Sequence, residues 1–272
     1  MTGTGRSYGA ISVLNAIPCG IGSTIGVDLC TEAVFEPSDR TSITLVNRPG
    51  MNKRLVKVCV TEALKAIGED PEIKYRLTVR SDIPPSRGLK SSSSVCNAVI
   101  SSVLDHFKKE MDPLDVIRLG VECAIKCKVT ITGAFDDACG CHLGGLVVTD
   151  NAKRELISRR ELPKYDVLIC SPEEYITKDK VDVSKYRELK NEFQKLAHLI
   201  DTDPLAVLTS NGRAVAKIIG MDDSLCEKAI SRGALAAGVS GTGPAIAIVC
   251  EPGKGNDIAD GLDCPVIRCR VR

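Results

Sequence analysis

Three stretches of this chain place reactive residue types at spacings that chemistry can use. The first is Pro84-Pro85-Ser86-Arg87-Gly88-Leu89-Lys90-Ser91-Ser92-Ser93-Ser94. Prolines and a glycine tighten the chain just before a serine-rich helix start. Such a start offers an anion unpaired backbone N–H groups, the positive end of the helix dipole and hydroxyl donors. Its spacing is not that of a Walker A loop, and a serine N-cap ahead of a polar helix face would produce part of the same pattern. The second stretch, Gly238-Val239-Ser240-Gly241-Thr242-Gly243-Pro244, has a glycine density that permits positive φ and close backbone approach to a ligand. One glycine would have sufficed for an ordinary helix-to-strand connection. The third, Thr130-Ile131-Thr132-Gly133-Ala134-Phe135-Asp136-Asp137-Ala138, sets two adjacent carboxylates after a glycine turn. Either acid can cap a following helix, and either can orient or deprotonate a hydroxyl beside a phosphate site.

Mixed strands and helices must position these stretches. β-Branched and small apolar residues predict strands over 8–17 and 26–35, and another over 41–47. Helical spacing of Leu55, Val56, Val60, Leu64 and Ile67 predicts a helix over 52–67, stopped by Gly68. Alternation predicts a strand over 74–80, and a helix follows the serines through Leu104. Asp112-Pro113 reads as an N-cap with proline at the first helical position, opening a helix to 127. Short apolar strands are expected at 144–149 and 165–170, helical spacing over 184–237, then strands at 245–250 and 265–271. With no long linker, the lobe boundary is placed near residue 150, giving lobes 1–150 and 151–272.

Composition excludes several functions. Lys+Arg of 36 against Asp+Glu of 35 leaves a net charge of +1, so no global field draws nucleic acid or an anionic membrane. Aromatic residues make up 3%, too few for base-stacking platforms. No apolar run is long enough to span a bilayer and the N-terminus lacks a basic signal start, so a cytoplasmic location is expected. The 13 cysteines are scattered through apolar segments and read as reduced packing residues. Cys139-Gly140-Cys141-His142 lacks the second paired cluster of a zinc site.

In this order the three stretches resemble the GHMP kinases, and the resemblance spans essentially the whole chain. Pro84, Gly88-Leu89 and Ser91-Ser92 match that family's Pro-x-x-x-Gly-Leu-x-Ser-Ser phosphate loop, with Lys90 where glycine is usual. In family members with a catalytic aspartate it stands seven residues before a Gly-Gly pair opening a strand. Counting back from Gly144-Gly145 reaches Asp137. Within the superfamily, Gly-Leu-Lys-Ser-Ser-Ser, Thr-Gly-Ala-Phe-Asp-Asp-Ala, and Asn15-Ala16-Ile17 with glycines at 20, 22 and 26 are similar to archaeal-type shikimate kinases. Homoserine kinases, which usually lack the aspartate, come next.

The resemblance implies an α+β, two-lobed GHMP kinase fold, with a ribosomal protein S5 domain 2-like N-terminal lobe and a ferredoxin-like C-terminal lobe. It implies MgATP as donor and a small-molecule acceptor, shikimate. Pro85, Ser86, Arg87, Gly88, Leu89, Lys90, Ser91, Ser92, Ser93 and Ser94 would form the nucleotide site. Ser92 and Glu122 would serve the magnesium ion, and Asp137 would be catalytic. Asn15, Thr130, Thr132, Asp136, Gly241 and Thr242 would face the acceptor, with Arg6 and Arg87 as candidate clamps for its carboxylate. Arg6 is also the candidate for the charge of the first-motif lysine that mevalonate-type kinases carry. On this reading Asp137→Asn costs rate while folding normally, whereas Asp136→Asn disturbs substrate affinity or the start of the helix. A non-catalytic binding protein on the same fold is the rival from another class.

Overall fold

In a computed structural model of the chain, residues 2–46, 52–130, 133–171 and 182–272 are described. Two long strands organise the first lobe. β1 (Gly3–Leu14) and β2 (Ile21–Pro37) pair antiparallel around the turn at residues 15–20. The far half of β2 then pairs with β4 (Tyr75–Ser81), and its near half with β5 (Leu146–Asp150). β3 (Ser42–Leu45) adds to β4 in parallel, and β6 (Glu155–Arg160) adds to β5. Helices α1 (Arg54–Ala66), α2 (Ser91–Phe107) and α3 (Pro113–Lys126) pack with this sheet and bury Phe35, Leu64, Leu77 and Ile100. Helix α3 starts as its sequence dictates, with the Asp112 side chain accepting from the Leu114 N–H at 2.8 Å and proline in its first turn. Helix α4 (Phe135–Leu143) lies beside α3 and against β1 and β2.

The second lobe is a four-stranded antiparallel sheet ordered β10-β7-β9-β8, made from β7 (Asp166–Cys170), β8 (Ala236–Val239), β9 (Ile246–Cys250) and β10 (Val266–Arg270). Helices α5 (Val183–Glu188), α6 (Lys190–Leu199), α7 (Pro204–Ile219) and α8 (Ser224–Ser231) separate β7 from β8, and α9 (Gly255–Ala259) separates β9 from β10. Strand, helices, two strands, helix, strand is the ferredoxin-like order. Ile11, Leu14 and Ile25 share one apolar core with Val167, Phe193 and Ala247, so the lobes bury a common seam. No helix among the described residues is long and apolar enough to cross a membrane.

Two strands depart from the sequence expectation. β6 carries charged residues on an exposed edge and only half-buries Leu156 and Ser158 while Ile157 faces outward, which weakens its apolar alternation. β8 straddles the end of the stretch expected to be helical, 184–237, and the start of the glycine stretch at Gly238. Its Ala-Ala-Gly-Val run is buried throughout, and Gly238 meets the backbone of Gly212 on α7, an approach that side chains would prevent. Neither acid at the start of α4 caps it. The N-cap position is Ala134, and Asp136 and Asp137 lie inside the first turn.

Candidate active site

A cleft of about 350 Å³ opens where the phosphate loop, the glycine loop, the end of β1 and the start of α4 converge. Each wall has a local cause. Leu89, 1% exposed, anchors the phosphate loop in the common core. Gly88 has φ +78° and lies so close to the glycine loop that a Cβ would run into the Ser240 carbonyl. A register shift between Ser12 and Leu14 breaks the β1–β2 ladder and brings Ser12 to the cleft; such bulges re-aim side chains beside active sites. The Asn15 backbone N–H donates to Asn211 Oδ1 at 2.9 Å, and its Nδ2 donates to the Gly241 carbonyl at 3.1 Å. The turn after β1 is thereby tied to α7 and to the glycine loop.

At the floor of the cleft Lys90 Nζ lies 2.8 Å from Asp137 Oδ1 and donates to Ser12 Oγ at 2.7 Å. The Gly241 N–H also donates to Ser12 Oγ, at 3.0 Å. The side chains of Lys90 and Asp137 are 5% and 15% exposed. Burial pulls the Lys90 ammonium towards neutrality, but the charges of Asp137 and Asp136 outweigh it and hold its pKa above the ordinary lysine value. The lysine therefore remains a cation in an interior that would otherwise neutralise it.

Asp136 is held differently. Its N–H donates to Asn151 Oδ1 at 3.0 Å, while Asn151 Nδ2 donates to Asp136 Oδ1 at 2.7 Å and Thr149 Oγ1 donates to Asn151 Oδ1 at 2.7 Å. Burial, and then the neighbouring Asp137, push its carboxyl up to about 6. Gly22 leaves the room this side chain occupies.

Most of the residues picked out from sequence meet here. Ser86, Gly88, Leu89, Lys90, Ser91, Ser92 and Ser93 line the cleft, as do Asn15, Thr130, Asp136, Asp137, Gly241 and Thr242. Pro85, Arg87 and Ser94 do not. Arg87 turns to Ser171 Oγ at 2.6 Å, and Ser94 is fully buried in α2. Thr132 lies outside the described residues. Two expectations are corrected. Glu122 stands on the exposed side of α3 with Arg154 at 3.3 Å, because its register on the helix points it away from the cleft. Arg6 pairs with Glu32 at 2.8 Å on the outer face of the β1–β2 ribbon, 67% exposed, and cannot supply charge to the site. Lys90 is the one cation lining the cleft among the described residues. Sequence reading missed Ser12, Asn151, Asn211 and Ser240. A serine inside the apolar run Ile11-Ser12-Val13-Leu14 was the available signal for the first, and Ser240 lies inside the glycine stretch itself; the two asparagines carry no such signal.

Magnesium usually keeps several waters and takes one or two protein oxygens together with substrate phosphates. Ser91, Ser92 and Ser93 line the cleft at the start of α2, where their hydroxyl oxygens would suit an ion shared with a nucleotide. A cage of protein side chains alone is not offered: among the described residues no group of three or more His, Cys, Asp or Glu side chains converges.

A helix N-terminus and a glycine loop facing each other across a buried lysine–aspartate pair define a two-lobed phosphotransferase of small molecules. The chain belongs to the GHMP kinases: the model of the GHMP kinases N terminal domain matches residues 54–145, and that of the GHMP kinases C terminal matches residues 188–266. It is 37% identical to a shikimate kinase of Methanothrix thermoacetophila, over 100% of this chain and 94% of the relative. It is 34% identical to a shikimate kinase of Pyrococcus abyssi, over 93% of both chains. The fold is similar to that of the Methanococcus jannaschii mevalonate kinase, with a TM-score of 0.78, 16% identity, and coverage of 100% of this chain and 98% of the other. A homoserine kinase from Cytophaga hutchinsonii aligns with a TM-score of 0.73 and 17% identity, over 99% and 94% of the two chains.

Proposed function

We propose that this chain is an ATP-dependent shikimate kinase, forming shikimate 3-phosphate for the biosynthesis of chorismate and the aromatic amino acids. The observation that carries the reading is the Asp137 carboxylate on the cleft floor, between the phosphate loop and the residues that face an acceptor. Homoserine kinases share the glycine loop but usually lack this acid, and the relatives at 37% and 34% identity bear the shikimate kinase name. In the reaction, backbone N–H groups of residues 88–93 would hold the nucleotide phosphates, and Ser92 would help hold a Mg²⁺ ion, which would offset their charge. The acceptor hydroxyl attacks the γ-phosphorus, its proton passes to Asp137, and the bond to the ADP oxygen breaks. Asn15, Thr130 and Asp136 supply hydrogen bonds to the remaining hydroxyls.

With this reading go a lobe division near residue 150, β6 returning to the first sheet after it, and a cytoplasmic enzyme with no nucleic-acid or membrane partner. The near-balanced charge of +1 supports the last point. The test is ADP release over shikimate, homoserine and mevalonate, with and without Mg²⁺. Turnover is expected with shikimate alone, and a chelator is expected to stop it without altering the far-ultraviolet circular dichroism. Strong turnover with homoserine and none with shikimate would overturn the assignment.

A further inference from the structure

Lys90 is kept under two costs that an ordinary loop residue would not carry. Its backbone has φ +66° and ψ +26°, the left-handed region where a Cβ is strained and glycine is not. Its side chain is only 5% exposed, and burying a cation is unfavourable unless it is paired. Both costs are met at one place. The ammonium spends two of its three protons on Asp137 Oδ1 and Ser12 Oγ, and Ser12 Oγ is fixed in turn by the Gly241 N–H. The carbonyl of Lys90 also accepts from the Ser94 N–H at 3.0 Å and from Cys141 Sγ at 3.7 Å, the latter one turn along the Asp137 helix.

We propose that Lys90 is the positioning residue of Asp137: its side chain leaves the phosphate loop to orient the carboxylate that activates the acceptor, while its backbone stays in the nucleotide site. One residue thus joins donor binding to acceptor activation, and the strained backbone at this turn carries the side chain that reaches Asp137. The inference rests on the reading of Asp137 as the acceptor-activating carboxylate. A cation serving only the γ-phosphate would instead keep its ammonium unpaired on the cleft wall, whereas that of Lys90 is committed to Asp137 and Ser12.

A double-mutant cycle on the full chain tests it, using Lys90→Met, Asp137→Asn and the double variant, with nucleotide affinity measured separately by calorimetry. Lys90→Met is expected to lower kcat by roughly 10² or more, within the range of general-base effects, while ATP affinity stays within about threefold. Added to Asp137→Asn it is expected to change kcat by no more than about threefold, because it acts only through that carboxylate. The double variant, with both charges removed, is expected to melt above either single variant, which distinguishes a folding failure from a lost role. Lys90→Gly relieves the backbone strain and is expected to fold yet remain slow, with partial recovery of kcat in added primary alkylamine. Multiplicative losses in the cycle, an ATP affinity reduced about tenfold or more by Lys90→Met, or a fully active Lys90→Gly would each overturn the proposal. If the acceptor proves to be another alcohol, shikimate falls as the substrate, and the same cycle run with that alcohol still decides the role of Lys90.

Discussion

Ser240 Oγ donates to the Gly88 carbonyl at 2.9 Å, and Gly88 lies against the Ser240 carbonyl with no room for a methyl group. The glycine loop is therefore a backing for the phosphate loop as well as a wall of the cleft. Ser240 Oγ also accepts from the Ser12 N–H at 3.1 Å, so β1 shares the same joint.

Gly88→Ala is expected to raise the KM for ATP about tenfold or more and to lower the melting temperature. The added Cβ meets both a positive φ and the Ser240 carbonyl, and strain of this kind costs on the order of 1–3 kcal/mol. Calorimetric ATP binding and thermal melting check it. Unchanged ATP affinity would show that the two loops do not need this approach.

For Asp137→Asn the expected loss in kcat is roughly 10²–10⁴, the scale of general-base catalysis. The structure revises the expectation that this variant folds normally. Asp137 is the partner of a buried ammonium, and breaking such a pair costs up to about 3–5 kcal/mol, less here because the cleft admits water to the aspartate. Both kcat and the melting temperature should fall, and a near wild-type kcat would remove Asp137 from the chemistry.

Asp136 gives a pH signature. The folded protein holds this proton up to about 6, against an ordinary value of 3.8, because burial and then Asp137 disfavour the charged form. Between about pH 4 and pH 6 the folded state binds more protons than the unfolded one, so this group makes stability fall as pH rises through that window. Asp136→Asn keeps an acceptor for Asn151 and removes the titration. Its stability relative to wild type is expected to improve from pH 4 to pH 7 by about 2–3 kcal/mol, read from paired melts. A difference that does not change with pH would contradict it. The KM for the acceptor is expected to rise in the same variant, since Asp136 lines the cleft.

Asn15 and Asn211 should separate binding from support. Asn15→Ala removes a cleft-lining side chain and its bond to the Gly241 carbonyl, so acceptor KM is expected to rise severalfold. Asn211→Ala leaves the buried Asn15 N–H without an acceptor, at a cost of about 1–3 kcal/mol, and is expected to lower the melting temperature more than it alters KM. Equal kinetic effects from the two would show that α7 takes part in substrate recognition.

Features that depend on neighbouring residues were legible in the amino-acid order alone. The serine-rich helix start, the Asp112-Pro113 cap, the glycine loop and the adjacent acids are local, because caps, dipoles and positive φ are settled within a turn of chain. Apolar spacing likewise located most strands and helices, and the order of the motifs carried the family resemblance. Which charge meets which was settled by the packing of distant segments. Arg6 and Lys90 are both basic residues near a motif, yet strand alternation sends Arg6 outward to Glu32, while a left-handed turn at the start of α2 sends Lys90 inward to Asp137. Ser12 gained its role from partners 78 and 229 residues away, and Glu122 lost its expected one through helix register. Helix and strand periodicity fix the face on which a side chain lies, but the charge it meets there comes from segments distant in sequence, whose approach is set by packing of the shared core.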